Sequence, residues 1–200
     1  MPEPDHDEAM SSSSPCRPTL SRRFIQRFRK DATGATPIEL ALVALPFFAL
    51  LFAILEGALV FWANQVLGTA VTDASRELYT GRFQQTTSAT PPAELPARFL
   101  AEVCRRTGGM FNCATLKVDV RTYASFPNGI PSPIITDPDG TRRLDPNFGA
   151  YQAPQATQIA VVQAAAEYPV FVPLMGANKS NISGGKRLLV STAAFRTEAF

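Results

Sequence analysis

Two carboxylates placed around a long apolar run are the residues of this chain that most need a chemical explanation. Glu39 stands at the mouth of the run, at the fifth position after Gly34, and Glu56 lies deep inside it. A carboxylate in an apolar environment costs free energy unless it stays hydrated or meets a partner.

The apolar run itself has the length of a membrane span. From Leu40 to Leu55 there is no charge and no polar side chain, and the run reaches Trp62 with Glu56 and Gly57 as its interruptions. At about 1.5 Å per residue the run spans roughly 34 Å, enough for a bilayer core of about 30 Å. A soluble core helix would keep a polar stripe, and a cleaved signal peptide would have an apolar region of about 7–15 residues. The sequence therefore predicts a transmembrane helix over about 40–62.

The flanking charges predict the orientation of that helix. The net charge of +2 gives no case for nucleic acid, but the basic residues are unevenly placed. The positive-inside rule puts residues 1–34 in the cytoplasm and the C-terminal part outside. Residues 1–21 are predicted to be disordered, and residues 22–30 either lie against an anionic inner leaflet or serve as a plain stop-transfer flank. Six basic residues, with no acid between them, precede the run: Arg17, Arg22, Arg23, Arg27, Arg29 and Lys30.

Hydrophobic periodicity predicts an α+β fold. We expect a long N-terminal transmembrane helix, bent at Pro46, that continues as an amphipathic helix to Gly81 and covers one face of a small antiparallel sheet. Six apolar residues form its outer stripe: Val66, Leu67, Ala70, Val71, Ala74 and Leu78. A linker (84–92), a short helix (93–109), a loop with a hairpin at Asp139-Gly140 (128–154) and three strands (114–126, 157–175 and 184–200) follow in the sequence.

Two cysteines are predicted to form a disulfide. Cys104 and Cys113 fall on the oxidising side of the membrane and are nine residues apart across a Gly-Gly turn, whereas Cys16 is predicted to be cytoplasmic. A zinc site would need four ligands, and the sole histidine, His6, falls on the other side of the membrane. We therefore expect no metal and no cofactor.

The sequence offers no arrangement of catalytic residues. A Ser-His-Asp site outside the membrane has no histidine available. Gly184-Gly185-Lys186 lacks the strand and the preceding glycine of a phosphate loop, and Asp137 with Asp139 reads as a surface turn rather than a calcium site. We therefore expect a protein that is not an enzyme and has no small-molecule substrate.

The boundary of the apolar run carries a recognisable motif. A basic stretch, a glycine, and an acid at the fifth position of an apolar helix resemble the prepilin-peptidase signal of type IV pilin-like proteins. That resemblance implies cleavage between Gly34 and Ala35, with Glu39 serving recognition and the neutralisation of a neighbouring subunit's amine. The alternative for Glu39 is an interfacial acid that complements the helix macrodipole. For Glu56, snorkelling to the outer interface and a contact with a membrane partner both stay open.

A longer segment is similar to the TadE-like family of the tight-adherence (Tad/Flp) pilus system. Residues 38–46 ("IELALVALP"), 54–57 ("ILEG") and 70–76 ("AVTDASR") match its three blocks. The resemblance implies a minor pilin-like protein of a pilus assembly or secretion system in the bacterial inner membrane. Its partners would be lipid, other pilin-like subunits, assembly proteins and a prepilin peptidase, and Pro46 and Glu56 are the candidate residues for contact with membrane partners.

The resulting domain organisation has three parts. Residues 1–34 form a cytoplasmic leader, residues 35–82 form the TadE-like segment, and residues 93–200 form an extracytoplasmic α+β domain, periplasmic or extracellular. The alternative is an uncleaved single-pass anchor that carries an unrelated periplasmic binding domain.

Overall fold

The α+β architecture predicted from the sequence is confirmed. A computed structural model of the protein describes residues 35–170 and 180–199, and the predicted leader (1–34) lies outside them. The helical elements are α1 (Ala35–Tyr79), α2 (Arg82–Thr86), a 3-10 turn (Pro92–Glu94) and α3 (Leu95–Arg106). The strands are β1 (Lys117–Tyr123), β2 (Ile134–Thr136), β3 (Arg142–Leu144), β4 (Ile159–Pro169) and β5 (Lys186–Arg196).

The chain divides into two compact units between Phe48 and Ala49. In the first unit, the helix residues from Pro37 to Phe48 have exposed side chains, apart from the half-buried Ala44. The second unit contains the rest of α1 and all the other described elements.

Helix α1 has the properties of a membrane anchor. By length and composition, Pro37–Tyr79 is the one helix among the described residues that could cross a membrane, and its most apolar stretch contains no buried side chain. Leu42, Leu45 and Phe61 are 72%, 74% and 65% exposed. The core helix of a soluble protein would bury such residues, so their exposure favours a helix that faces lipid.

The outer part of α1 packs one face on the core of the second unit. The predicted stripe is confirmed, with Leu67, Ala70, Val71, Ala74 and Leu78 buried and Val66 half-buried. The stripe also begins earlier than the sequence indicated, since Val60 and Ala63 belong to it. Sequence periodicity missed Val60 because its neighbours in the apolar run are also apolar.

Glycine ends α1 where the sequence predicted. Gly81 adopts a left-handed φ of 72°, which a glycine reaches without steric cost. The predicted linker at 84–92 is partly wrong, because Arg82–Thr86 forms the short helix α2. Phe83 inserts from that helix into the core and makes an edge contact with Phe99 of α3, with ring centroids 5.4 Å apart. Burial of the Phe83 ring stabilises helix α2, although the rest of its sequence is polar.

Three strands form an antiparallel sheet in the order β1-β4-β5. Val118 pairs with Ala164 and Val120 with Val162, and Ala164 and Val162 in turn pair with Ser191 and Ala193 of β5. These alternate residues share one face by the period of two. Val118, Val120, Val162 and Ala164 pack in the same core as α1 and α3, so the helices cover this face.

The opposite face is covered at one end by a hairpin. Strands β2 and β3 pair antiparallel around Asp139-Gly140, as predicted, and Gly140 has a φ of 83°. A smaller cluster there joins Phe148, Ala165, Ile182 and Leu188, with Ile134 and Leu144 of the hairpin beside it.

The predicted strands are longer than the observed ones. Strand β1 begins at Lys117 rather than residue 114, β5 ends at Arg196, and β4 ends at Pro169, whose ring removes a ladder donor. Residues 171–175 of the predicted second strand lie outside the described residues.

Replacing a core leucine of α1 should destabilise the second unit selectively. Leu67→Ala removes a side chain that is 0% exposed, and we expect the free energy of unfolding to fall by about 2–5 kcal/mol. Urea unfolding of the full chain in detergent, followed by near-UV circular dichroism, measures this change. Leu59→Ala is the matched control, since Leu59 is 44% exposed on the same helix, and its effect should be about 0.5 kcal/mol or less. Equal effects would contradict the assignment of the buried face.

Candidate functional site

The predicted cleavage motif sits at the start of helix α1. Ala35 is the first residue of the helix, and Gly34 lies outside the described residues. The side chain of Glu39 is exposed and stands one turn after Ala35, between Ile38 and Leu40, which are 59% and 69% exposed. Positions four apart share a helix face, so this exposed acid lies on the same side of the helix as position 35.

The second acid of the apolar run is buried. Glu56 is only 4% exposed, whereas its neighbours Ile54 and Leu55 are 63% and 50% exposed. Glu56 precedes Val60 by one turn and therefore continues the face of α1 that packs into the second unit. The Glu56 carboxylate is therefore buried within the folded unit. Neither interpretation from the sequence, snorkelling or contact with a membrane partner, included this environment.

Helix α1 runs through Pro46 without interruption. The ring of this proline removes one backbone hydrogen bond, and lipid-facing helices tolerate that loss. Neighbouring Phe47 and Phe48 make an edge contact with ring centroids 5.4 Å apart. A contact of Pro46 with a membrane partner remains a prediction.

An ion-pair network that the sequence did not reveal joins α1 to α3. Arg106 Nη2 donates to Glu77 Oε1 at 2.7 Å, and Arg106 Nη1 also bonds Glu102. Arg105 Nη2 donates to the same Glu102 oxygen at 2.6 Å. The hydrogen bond from Arg105, together with both positive charges, lowers the pKa of Glu102 against the opposing effect of burial. Because Arg106 is only 17% exposed, this network is better shielded from solvent than an ordinary surface pair.

A row of polar residues crosses the face of the sheet that is opposite helices α1 and α3. Asp119, Gln163 and Thr192 are paired neighbours on β1, β4 and β5. Gln163 Nε2 donates to Thr192 Oγ1 at 3.3 Å, and Arg121 Nε donates to Asp119 Oδ2 at 3.0 Å. Asp119 is 2% exposed, and its burial raises the pKa of the carboxyl, although the bond from Arg121 opposes the change.

The predicted cysteine pair lies at disulfide distance. Cys104 at the end of α3 and Cys113 before β1 have their sulfur atoms at bonding distance and their Cα atoms 5.8 Å apart. Cys104 is buried in the main core. The pair therefore fixes the turn that leads from α3 to the sheet.

The acids of the hairpin serve local structure. Asp137 accepts two hydrogen bonds from Arg143, and Asp139 Oδ1 accepts one from the Thr141 backbone N–H at 2.9 Å. Within residues 35–170 and 180–199, no group of three or more potential ligand side chains could hold a metal ion.

Comparison with known proteins identifies one family. Residues 34–76 match the family model described as TadE-like protein. The resemblance inferred from the sequence is confirmed over this segment, which contains Gly34, Glu39, Pro46 and Glu56 and nearly all of α1. No curated protein and no solved structure matches the chain.

Reduction of the disulfide should weaken the second unit without abolishing its sheet. The bond closes a short loop, so we expect a loss of roughly 2–3 kcal/mol in the free energy of unfolding. Urea unfolding with and without a reductant measures the loss, and a Cys104→Ser/Cys113→Ser double variant should be insensitive to the reductant. If reduction did not change the stability of the native chain, the linkage would not be contributing to the fold.

The buried Asp119 predicts a pH dependence of stability. Its raised pKa means that the folded state holds this proton to a higher pH than the unfolded state does. The contribution of Asp119 to the free energy of unfolding is therefore lost as pH rises from about 4 through the folded-state pKa. It is regained when the pH is lowered again. We expect the stability of the native chain relative to Asp119→Asn to increase as pH is lowered from 7 to 4.

An exposed aspartate provides the control of opposite sign. The Thr141 backbone bond lowers the pKa of Asp139, so the native chain should lose stability relative to Asp139→Asn on acidification. Urea unfolding between pH 7 and about 2 compares both pairs, because the contribution of Asp139 is lost only as pH falls below about 4. The same slope for both variants would contradict the assignment of Asp119 as the group with the raised pKa.

Proposed function

We propose that this protein is a minor pilin-like membrane subunit of a tight-adherence pilus assembly or secretion system. The observation that carries the proposal is the coincidence of the TadE-like match with a long helix whose apolar side chains are exposed. In this role the protein works by helix packing and protein–protein contacts, without catalysis. The first half of α1 anchors the subunit in the inner membrane and then bundles with pilin-type helices, while the folded unit outside presents a binding surface.

The proposed pathway begins with removal of the leader on the cytoplasmic face. A prepilin peptidase cuts between Gly34 and Ala35 and leaves a free amine on Ala35. Support comes from the family match, which includes Gly34, and from the exposed carboxylate of Glu39 at the fifth position after that glycine. In an assembly of several subunits, Glu39 of one chain neutralises the amine of another, and the attraction between the two charges offsets part of the cost of removing both from water.

The proposed organisation follows the predicted one. Residues 1–34 form a cytoplasmic leader, residues 35–82 form the anchor and juxtamembrane helix, and residues 93–200 form the domain outside. Contacts of Pro46 and Glu56 with other membrane helices belong to the same proposal. For Glu56, such a contact would have to form beside the buried face of α1, since its side chain is 4% exposed.

A second candidate function is that of a membrane anchor whose leader is not cleaved. The match to the family ends at residue 76, so the fold beyond it is also compatible with an uncleaved single-pass anchor that carries a periplasmic binding domain. The two candidates differ in the mass of the mature chain.

Cleavage is tested by the mass of the full chain produced with and without a prepilin peptidase. We expect loss of residues 1–34 only when the peptidase is present. The Gly34→Leu variant should not be cut, because a bulky side chain at this position would prevent the peptidase from recognising the site. Ala32→Leu is the matched control and should be cut normally. An intact chain under all conditions would sink the processed-pilin proposal and leave the uncleaved anchor.

A second variant separates processing from assembly. Glu39→Ala should still be cut but should enter assemblies with other pilin-like subunits several-fold less, as measured by crosslinking in membranes. Glu94→Ala, which removes an exposed acid of the folded unit, should leave crosslinking unchanged.

A further inference from the structure

Strand β5 ends the sheet order β1-β4-β5, so one side of its backbone has no strand beside it. Alternate residues of a strand direct their N–H and C=O groups to opposite sides. Val120 of β1 directs both groups away from β4, since its N–H donates to the Ala150 carbonyl and its carbonyl accepts from the Gln152 N–H, both at 2.8 Å. Val120 faces Val162, which in turn faces Ala193. Val162 and Ala193 therefore bond each other, and the even-numbered residues of β5 direct their backbone groups outward.

Two contacts agree with this assignment and close the two ends of the outer edge. The Leu188 N–H donates to Asn181 Oδ1 at 2.6 Å, and Asn181 Nδ2 donates to the Leu188 carbonyl at 3.2 Å. After the strand, the Glu198 N–H donates to the Tyr79 carbonyl at 3.0 Å. Between these positions, four residues have outward backbone groups that bond nothing in the described part of the chain: Val190, Thr192, Ala194 and Arg196. An unpaired row of this kind is a template for another strand.

The open edge lacks the features that usually keep strands of different molecules apart. From Leu188 to Phe195, β5 contains neither a charged residue nor a proline, and these are the residues that commonly protect an edge. By contrast, the outer side of β1 is closed at Val120 by residues 150–152.

A pocket of about 330 Å³ lies between the open edge and helix α1. Residues 193–195 line it together with Thr72 and Tyr79 of the helix. Side chains of consecutive strand residues alternate between the two faces of a sheet, so a pocket that all three residues line borders the edge of the strand. The rings of Tyr79 and Phe195 provide an aromatic wall, with centroids 6.2 Å apart.

The charges around this pocket are balanced. Asp73 and Arg76 both line the pocket, and Arg196 and Glu198 stand at the end of β5. The Glu198 carboxylate accepts a hydrogen bond from the Tyr79 hydroxyl. Two acids and two bases leave no net charge, so the pocket favours an uncharged occupant.

A second copy of the chain is a poor occupant, because α1 runs alongside β5 in the same direction. Residues 57–64 of α1 lie beside residues 187–190, Gly68 lies close to Ser191, and residues 72–79 lie beside residues 193–195. Two copies that paired their β5 edges about a two-fold axis at Thr192 would have antiparallel strands. Their α1 helices would then point in opposite directions and could not enter one membrane from the same side.

We propose that the open edge of β5 takes up an extended, uncharged segment of a different protein, which adds a strand to the sheet outside the membrane. Its backbone bonds the outward groups of β5, and its side chains alternate between the two faces. The side chain beside Ala193 enters the pocket and is apolar. The side chain beside Thr192 carries a hydroxyl or an amide, because Thr192 Oγ1 accepts from Gln163 Nε2 and has its own proton to donate. The proposal goes beyond the proposed function: it rests on the membrane insertion of α1, but not on cleavage of the chain or on its assembly into a pilus.

A fluorescent peptide of alternating threonine and valine, with blocked ends, is the probe for this edge. Its binding to the full chain in detergent is measured by fluorescence anisotropy. Two further peptides are methylated on the backbone nitrogens of either the threonines or the valines, so that only one of them loses the N–H groups that face β5. We expect the association constant to fall about tenfold or more for one methylated peptide and to stay within about twofold for the other, because each lost backbone hydrogen bond costs roughly 2- to 10-fold.

A substitution at one outward residue locates the binding on β5. Ala194→Pro removes an N–H that points away from β4, and an edge strand tolerates proline at such a position. The variant should bind the unmethylated peptide about tenfold more weakly than the native chain does. Ala194→Ser is the matched control, since it keeps the N–H of the same exposed residue, and its association constant should be unchanged. Near-UV circular dichroism checks that both variants are folded.

The outcomes separate this proposal from the proposed function. If the native chain did not bind the unmethylated peptide, or if both methylated peptides lost affinity equally, the open edge would not be a strand-binding site, whether or not Ala194→Pro folds. A native chain that is dimeric in detergent and an Ala194→Pro variant that is monomeric would overturn the different protein as occupant in favour of a second copy. An uncut chain that binds the peptide as expected would contradict only the pilin-like pathway.

Discussion

The structure depends on the close packing of one face of helix α1 against the sheet. Small residues make that approach possible: Ala63, Ala70 and Ala74 are fully buried on the helix, and Ala164 lies on the facing side of β4. A Cβ atom added at Gly68 would lie 3.8 Å from Ser191 Oγ, so helix and strand nearly touch there. Interiors are packed at high density, and a larger residue on this face would push the sheet away from the helix.

The remaining elements hold the sheet and the helix in that arrangement. Helix α3 places Phe99 and Val103 in the same core, the ion pair between Glu77 and Arg106 joins α3 to α1, and the cysteine pair joins α3 to the turn before β1. At the far end, the Glu198 backbone N–H donates to the Tyr79 carbonyl at 3.0 Å. The chain thus returns to α1 after β5, and the helix is held along its outer length.

This arrangement explains why a single helix can serve two environments. Residues 37–55 are suited to lipid because nearly all of their side chains are exposed and apolar, apart from Glu39 at the mouth. The next turns remain apolar on one side while the other side enters the folded unit. The change from exposed to buried side chains on one face of the helix therefore takes place over Glu56 to Ala63.

Elements with local signals could be predicted from the amino-acid sequence alone. The apolar length of α1, its outer stripe, the glycine stop at Gly81 and the hairpin at Asp139-Gly140 follow from composition and periodicity within short stretches of the chain. Contacts between residues far apart in the chain are visible only once it is folded. Glu77 and Arg106 are 29 positions apart, Asp119 meets Gln163 through strand register, and Glu56 is buried because its helix face continues into a core formed by later residues. Periodicity reports which residues share a face, but it carries no information on which distant element covers that face.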